Sequence, residues 1–244
     1  MVQIIAVLGG KGGCGKSSCS IGLSFALTEQ KKRVLLIDLD EGMRCLDMLL
    51  GVSERLVFDV SDATMGRELS SCVLSIEGHK DLYLLAAPAE KGSLDMNRFA
   101  DFILSLSDKD FDTVVIDLPA GSDIELYKAL PSYTQFLCIC NPNAVSVRDA
   151  ANIGLLLSKA DRKASLIINR FEPYYIKNPV FASLDDIIDE SGLQLIGIVP
   201  ESEKLAFAFL GEGFKFKGKA KRAFSRIANR LCGRNVPLPK LKKI

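Results

Sequence analysis

The chain has few residues suited to imidazole or metal chemistry. Of its 244 residues only one is histidine, His79, and its seven cysteines include no Cys-x-x-Cys pair. A lone histidine in the polar stretch from Glu77 to Asp81 argues against a mechanism centred on imidazole. Scattered cysteines, odd in number, favour a reducing compartment over a disulfide framework. Cys138 and Cys140 share one face of a predicted strand, where core packing is commoner than metal binding.

Long apolar runs and a dominant charge are also missing. No run approaches the roughly 20 apolar residues that cross a bilayer. The first apolar run, from Val2 to Leu8, is short and enters a glycine-rich loop, which predicts a strand and not a secretory leader. The formal net charge is only +1, so overall charge selects no partner. We therefore expect a cytoplasmic protein with one core, since a chain of this length forms a single domain.

The balanced total conceals an uneven distribution of charge. From Glu212 to Ile244 the chain carries eleven lysines and arginines and one acid. Within this segment, Lys219 to Cys232 has apolar residues at helical spacing and basic residues on its other faces. The pattern predicts a helix that docks its apolar stripe on the core. The alternative is that its basic face touches an anionic surface, either lipid or DNA.

Apolar runs alternate with amphipathic stretches along the whole chain, which is typical of a parallel sheet covered on both faces. There is no internal repeat and no linker that would divide the chain. We expect one α/β domain over residues 1–232 and a short basic tail with two prolines over 233–244. Seven buried strands are predicted: Ile4 to Leu8, Val34 to Ile37, Leu82 to Ala86, Thr113 to Ile116, Phe136 to Ile139, Ala164 to Ile168 and Leu195 to Val199.

The most specific motif follows the first strand. It has two glycines five residues apart, Gly10 and Gly15, with Lys16 and Ser17 directly after, which is the spacing of a phosphate-binding loop. A helix is predicted from Ser17 to Glu29, and its N-terminus favours an anion. Lys16 should reach the β- and γ-phosphates of a nucleotide, and the Ser17 hydroxyl should bind Mg²⁺. The phosphate-binding residues are predicted to be Gly10, Gly12, Gly13, Cys14, Gly15, Lys16, Ser17 and Ser18.

Carboxylates end two of the other predicted strands. Asp117 ends the strand that starts at Thr113, and a carboxylate there can hold Mg²⁺ through its water shell. Gly121 follows, where a backbone N–H can approach the γ-phosphate. Asp38 directly follows the second predicted strand, Val34 to Ile37, and Asp40 lies two residues further on. We expect one of these two to support Mg²⁺ or Ser17 and the other to orient the attacking water.

Together these motifs resemble the MinD/ParA family of P-loop ATPases with a deviant phosphate loop, and within it the MinD branch. The extra lysine, Lys11, carries the deviant motif. The segment from Asp38 to Asp47 is similar to switch I, and Asp117 to Gly121 is similar to Walker B and switch II. The resemblance extends over further short motifs in the same order: Asn141-Pro142, Ser146 to Ala150, Asn169-Arg170 and Val199 to Glu201.

The resemblance implies a P-loop NTPase fold with a mostly parallel sheet and an ATP-dependent homodimer that uses ATP and Mg²⁺. It implies that Lys11 reaches phosphates in the other subunit, as an arginine finger does. Asp40 would position water, and Ser17, Asp38 and Asp117 would serve Mg²⁺. It further implies protein partners, an inhibitor of septum assembly and a stimulator of hydrolysis, and a role in division-site placement at the membrane. The adenine site would be formed by Asn169, Arg170, Pro200 and Glu201.

The chain departs from the family pattern in two places. Cys45 stands in switch I where the MinD branch usually has asparagine. MinD proteins usually end in a short amphipathic helix that inserts into membrane, whereas here the sequence after Cys232 contains two prolines and is too short for one. The helix from Lys219 to Leu231 would then make the contact with the inner face of the membrane.

Two other functions remain open from the sequence. A DNA-partitioning ATPase of the ParA type would use the basic C-terminal face on nucleic acid. A metabolic relative resembling an amidoligase would phosphorylate a small carboxylate, and it would have less need for Lys11. Nitrogenase-type reductases and iron–sulfur carriers on the same scaffold require cysteines that this chain lacks.

Overall fold

A central eight-stranded sheet organises the chain, in a computed structural model that describes residues 1–121, 123–172, 183–202 and 217–239. The strand order is β3-β4-β2-β5-β1-β6-β7-β8. All pairs are parallel except β3 with β4 at one edge. The strands are β1 (Gln3–Leu8), β2 (Val34–Asp38), β3 (Leu74–Ser75), β4 (Leu82–Leu85), β5 (Thr113–Asp117), β6 (Gln135–Cys140), β7 (Ala164–Phe171) and β8 (Gln194–Pro200).

Helices cover both faces of the sheet, as the alternating pattern predicts. The described helices are α1 (Lys16–Thr28), α2 (Cys45–Leu49), α3 (Val60–Thr64), α4 (Leu69–Cys72), α5 (Met96–Ser105), α6 (Ile124–Ala129), α7 (Ala144–Lys159), α8 (Leu184–Ser191) and α9 (Gly218–Leu231). A short 3-10 turn spans Ser53–Arg55. Within the described residues, no helix is both long enough and apolar enough to cross a membrane.

Two apolar layers form the core, one on each side of the sheet. Successive residues of a strand point to opposite faces. In β1, Ile4 therefore packs with the layer under α3, α5, α6, α7 and α8, and Ile5 packs with the layer under α1, α2 and α9. Because its central strands are buried on both faces, the sheet appears in the sequence as continuous apolar runs.

The predicted elements are confirmed, with shifts of one to three residues at their ends. All seven predicted strands are present, and the predicted first helix begins one residue earlier, at Lys16. The sequence analysis did not find β3 or the short helices α2, α3, α4 and α6, and it did not define α8.

The basic C-terminal helix, α9, docks its apolar stripe on the core. Phe224 and Ile227 are fully buried. The Phe224 ring approaches α1 so closely that a Cβ at Gly22 would lie 2.8 Å from it. Because the stripe is buried, only the basic face of α9 is available to an outside surface. Four basic residues of this segment, Lys215, Lys240, Lys242 and Lys243, lie outside the described residues.

Candidate functional site

The loop between β1 and α1 has the backbone geometry that a phosphate site requires. Gly13 and Gly15 adopt φ angles of 84° and 93°, a region that residues with a Cβ rarely enter. Gly15 is the N-cap of α1, and no side chain caps that end. A Cβ at Gly15 would lie 2.3 Å from Nδ2 of Asn169. The unpaired N–H groups of the α1 N-terminus are therefore left for an anion.

Asn169, which was predicted to contact adenine, braces the phosphate loop. Its side chain is buried at the end of β7, and its Nδ2 donates to the carbonyl of Cys14 at 2.9 Å. This bond fixes the loop directly before Lys16. The Cys14 thiol points inward, and burial raises its pKa. The Cys14 side chain therefore packs in the core, and its main-chain carbonyl accepts the hydrogen bond from Asn169.

Asp117 lies next to the phosphate loop at the end of β5. It is buried, and its Oδ1 accepts from the Ser20 hydroxyl of α1 at 2.8 Å. Burial raises the pKa of Asp117 to about 6, while hydrogen bonding from Ser17 and Ser20 opposes the rise. A buried carboxylate that touches the first turn of α1 is suited to hold a cation beside a phosphate group.

Asp38 is the neighbour of Asp117 across the β2–β5 ladder. Its Oδ1 accepts from the Asp40 N–H at 2.9 Å and its Oδ2 accepts from the Leu46 N–H at 3.1 Å. Burial, followed by the charge of Asp117, raises its pKa to about 7. Both oxygens are thus occupied in shaping the loop from Asp40 to Leu46, so this carboxylate positions switch I in the present structure.

Asp40 lies beyond the end of β2 and lines a cleft of about 640 Å³ with the phosphate loop. The strand ends at Asp38, whose carboxylate accepts from two backbone N–H groups, whereas Asp40 lines the cleft and Asp38 does not. The cleft lining consists of Gly12, Gly13, Gly15, Lys16, Ser17, Ser18, Leu39, Asp40, Glu41, Met43, Cys45, Met48, Leu49, Lys91, Pro119, Ala120 and Arg170.

Lys11 lies at the outer edge of the loop, with its side chain largely exposed. Its Nζ is 3.8 Å from Oδ2 of Asp149 on α7. A Cβ at Gly10 would come within 2.4 Å of the Asp149 Cβ, so Gly10 permits α7 to approach the loop. The lysine that carries the deviant motif is therefore tethered to its own chain and does not line the cleft.

The other predicted base-site residues meet at the ends of β7 and β8. Arg170 has a positive φ of 54°, and its Nε lies 3.9 Å from Oε2 of Glu201. Pro200 pairs with Phe171 across the two strands. Of this group only Arg170 lines the cleft described above. The structure thus brings the four residues together at one edge of the sheet.

Gly121 of switch II bonds to the start of the phosphate loop. Its φ of 111° requires glycine, and its N–H donates to the Gly9 carbonyl at 3.3 Å. Switch II is thereby joined to the start of the phosphate loop. Contact between this N–H and a γ-phosphate requires the bond to Gly9 to break.

Several residues at the site were not predicted from the sequence to belong to it. Asp149 was noted only as part of a family motif, and Lys91 was not identified at all. Met43 and Met48 are exposed at the cleft, although apolar side chains are not expected to line a site for a charged ligand. These residues come from loops and helices far apart in the chain, so only the folded sheet reveals them.

Comparison with known proteins agrees with this geometry. The chain matches the CobQ/CobB/MinD/ParA nucleotide-binding domain family over residues 5–212. It is 34% identical to the septum site-determining protein MinD of Synechocystis over 97% of this chain and 92% of that protein.

Solved structures give the same result. A chain of the MinC:MinD cell division protein complex of Aquifex aeolicus superimposes with a TM-score of 0.86 at 31% identity, over 98% of this chain and 99% of that one. MinD of Pyrococcus horikoshii complexed with Mg-ADP gives 0.80 at 25% identity, covering 95% and 96%. The chain therefore belongs to the MinD/ParA family of P-loop ATPases and is of the MinD type.

Proposed function

We propose that this chain binds Mg-ATP in the cleft between its phosphate loop and switch I, hydrolyses it, and acts as a dimerising switch in division-site placement. The observation that carries the proposal is the convergence of Lys16, Ser17 and Asp40 on one cleft at the N-terminus of α1. Phosphoryl transfer asks mainly for positioning and charge stabilisation, and this cleft offers both. The relative from Pyrococcus horikoshii was solved with Mg-ADP.

The donor set fits a magnesium ion. Mg²⁺ is commonly held by one or two carboxylates or hydroxyls together with water and phosphate oxygens. Ser17 lines the cleft and Asp117 adjoins it, and burial raises the pKa of Asp117, a penalty that a nearby cation offsets. We assign Ser17 and Asp117 to the ion and its water shell, Lys16 to the phosphates, and Asp40 to the attacking water. Asp38 serves the ion indirectly, by holding switch I.

Dimerisation would complete the site. Lys11 is exposed at the loop edge and does not line its own cleft. We infer that it crosses to the phosphates of a second subunit, which couples hydrolysis to the dimer. The exposed Met43 and Met48 beside the cleft give that partner an apolar contact.

Three variants test this assignment. Lys16→Ala should abolish nucleotide binding, Lys11→Ala should bind ATP but neither dimerise nor hydrolyse it, and Asp40→Ala should accumulate as an ATP-bound dimer. Sedimentation velocity with Mg-ATP and Mg-ADP and a phosphate-release assay measure these outcomes. Hydrolysis at the parental rate by monomeric Lys11→Ala would contradict the crossing lysine while leaving the ATPase itself established.

We also propose that the protein meets an anionic surface through the basic face of α9, with lipid as the favoured surface. Arg222 is exposed and Arg226 is partly exposed on this face, whereas Lys221 is 43% exposed and pairs with Glu29 of α1. Clustered basic residues on a surface helix attract anionic headgroups at about 1 kcal/mol each. The buried apolar stripe limits this contact to charge, so it should be weak and sensitive to salt.

Sedimentation with anionic vesicles in Mg-ATP and in Mg-ADP tests the surface. The variant pair Arg222→Glu and Arg226→Glu should lose ATP-dependent binding. Arg230 is unsuitable for this purpose because its guanidinium donates to the Ile196 and Val236 carbonyls and is structural. Absence of vesicle binding together with ATP-dependent, salt-sensitive DNA binding would support the ParA-type alternative instead.

A further inference from the structure

The loop after β4 brings a second lysine, besides Lys16, to the nucleotide cleft. β4 lies beside β2 in the sheet, so the loop that leaves β4 runs next to switch I. Lys91, in this loop, lines the cleft together with the phosphate loop and Asp40. It is exposed, and within the described part of the chain its ammonium forms no ion pair. Its charge is therefore available to a ligand.

Glu41 of switch I holds this loop in place. One of its carboxylate oxygens accepts from the Gly92 N–H at 3.0 Å and the other accepts from the Leu94 N–H at 2.8 Å. In addition, the Gly42 N–H donates to the Pro88 carbonyl at 3.1 Å. Three hydrogen bonds thus join two consecutive residues of switch I to the loop on both sides of Lys91.

The stem of Lys91 lies across the backbone of switch I. A Cβ at Gly42 would be 3.1 Å from Cγ and 3.2 Å from Cε of Lys91. Gly42 has a φ of 77° and presents bare backbone there, which lets the aliphatic part of the lysine pass over it. The aliphatic part of Lys91 is therefore held by its packing on Gly42 and by the hydrogen bonds of its loop to Glu41.

The wall of the cleft that carries Lys91 is the one formed by switch I. In a phosphate-loop site the loop backbone surrounds the α- and β-phosphates, and the switch segments contact the γ-phosphate. Lys91 packs on Gly42 of switch I, which is two residues after Asp40 in the chain, and it lines the same cleft as the start of α1. We propose that Lys91 binds the terminal phosphate of ATP, and that Glu41 is the positioning residue that presents it.

This inference rests on the proposed function, and it adds a device by which ATP is distinguished from ADP. An ammonium that reaches only the third phosphate stabilises the triphosphate selectively. It also couples the β4–α5 loop to nucleotide state, because loss of that phosphate removes the ligand of Lys91 while the Glu41 bonds persist.

Calorimetric titration with Mg-AMPPNP and Mg-ADP tests the proposal. Lys91→Ala should raise the Kd for the triphosphate analogue about tenfold, the effect of one charged hydrogen bond, and change the Kd for Mg-ADP less than about twofold. Lys91→Arg should restore most of the affinity. Lys80→Ala, which removes an exposed lysine remote from the cleft, is the matched control and should bind as the parent does.

The role of Glu41 is tested by a double-mutant cycle. Glu41→Ala should weaken triphosphate binding in the same direction, and the Glu41→Ala/Lys91→Ala double variant should be no weaker than Lys91→Ala alone. Additive losses would overturn the positioning role. Equal weakening of both nucleotides by Lys91→Ala, or no change in either, would overturn the phosphate contact. If the parent protein bound neither nucleotide, the proposed function itself would fail.

Discussion

Asp38 and Asp117 form a buried pair of carboxylates that hydrogen-bond to different elements. They are register partners on adjacent strands, and both are almost completely buried. Asp38 accepts two backbone N–H groups from switch I, whereas Asp117 accepts a hydroxyl from α1. Burial raises the pKa of each carboxyl, and the negative charge of Asp117 raises the pKa of Asp38 further. Without a cation nearby, the protein holds these groups at a cost to stability.

The cost of the Asp38 charge should depend on pH. Its pKa is raised from 3.8 to about 7, so the folded chain keeps a proton that the unfolded chain has lost between these values. Stability from this group is therefore greatest at low pH and falls as pH rises through that window. In Mg²⁺-free and nucleotide-free buffer, the Tm of Asp38→Asn relative to the parent should rise from pH 5 to pH 7 and level off above pH 7.

A control carboxylate separates this effect from general acid stability. Asp101→Asn, on the exposed side of α5, is the matched control for loss of a carboxylate outside the nucleotide site. Parallel curves for the parent and Asp38→Asn would show that the Asp38 carboxylate titrates as it does in the unfolded chain.

The tether between Lys11 and Asp149 is weak enough to be released. Its atoms are 3.8 Å apart and the Lys11 side chain is 65% exposed, and such pairs contribute below about 1 kcal/mol. Asp149→Asn keeps the side-chain shape against Gly10 but removes the charge. If Lys11 must leave Asp149 to reach a partner, the variant should dimerise more tightly with Mg-ATP, by at most about fivefold. Weaker dimerisation would instead give Asp149 a role in the dimer itself.

At the scale of elements, the docking of α9 on β8 depends on a glycine. A Cβ at Gly197 would lie 2.3 Å from Cγ1 and 2.6 Å from Cδ1 of the fully buried Ile227. Overpacking of this kind costs about 1–3 kcal/mol. Gly197→Ala should therefore lower the free energy of unfolding by that amount in urea titrations. The cost should shrink in an Ile227→Ala background, where the colliding atoms are gone; an unchanged cost would place the strain elsewhere.

The long elements could be predicted from the sequence, whereas the short ones could not. β1, β2 and β5 are buried on both faces, so their apolar runs are unbroken, and α1 follows a loop with an unmistakable glycine spacing. The two-residue strand β3 and helices of four or five residues, such as α2, have no periodicity to detect. Their positions are set by tertiary contacts, among them the Asp38 bond to the Leu46 N–H.

The whole molecule explains why part of the site was also missed. The spacing of the phosphate-loop motif predicted Lys16 and Ser17, and the ends of the apolar strands predicted Asp38, Asp40 and Asp117. Asp149 and Lys91 reach the same edge only through the order of the sheet, which places β6 beside β1 and β4 beside β2. The same order places Asn169 against the phosphate loop, and no local pattern reveals that contact.

The nucleotide cleft is lined by segments that range from Gly12 to Arg170, so ligand binding should stabilise the fold as a whole. A ligand present at a hundred times its Kd adds about 2.7 kcal/mol to the free energy of unfolding. For a domain of this size each kcal/mol raises the Tm by about 2–4 °C, which gives about 5–10 °C with saturating Mg-ATP. Differential scanning fluorimetry of the parent and Lys16→Ala measures this rise. The variant should show none, because the lysine that reaches the phosphates is gone.

Because α9 packs on α1 directly behind the phosphate loop, hydrogen exchange in α9 should slow together with that in α1. Protection confined to the loop would mean that the basic helix does not sense the nucleotide, and an ATP-controlled surface on α9 would then lack a structural link to the site.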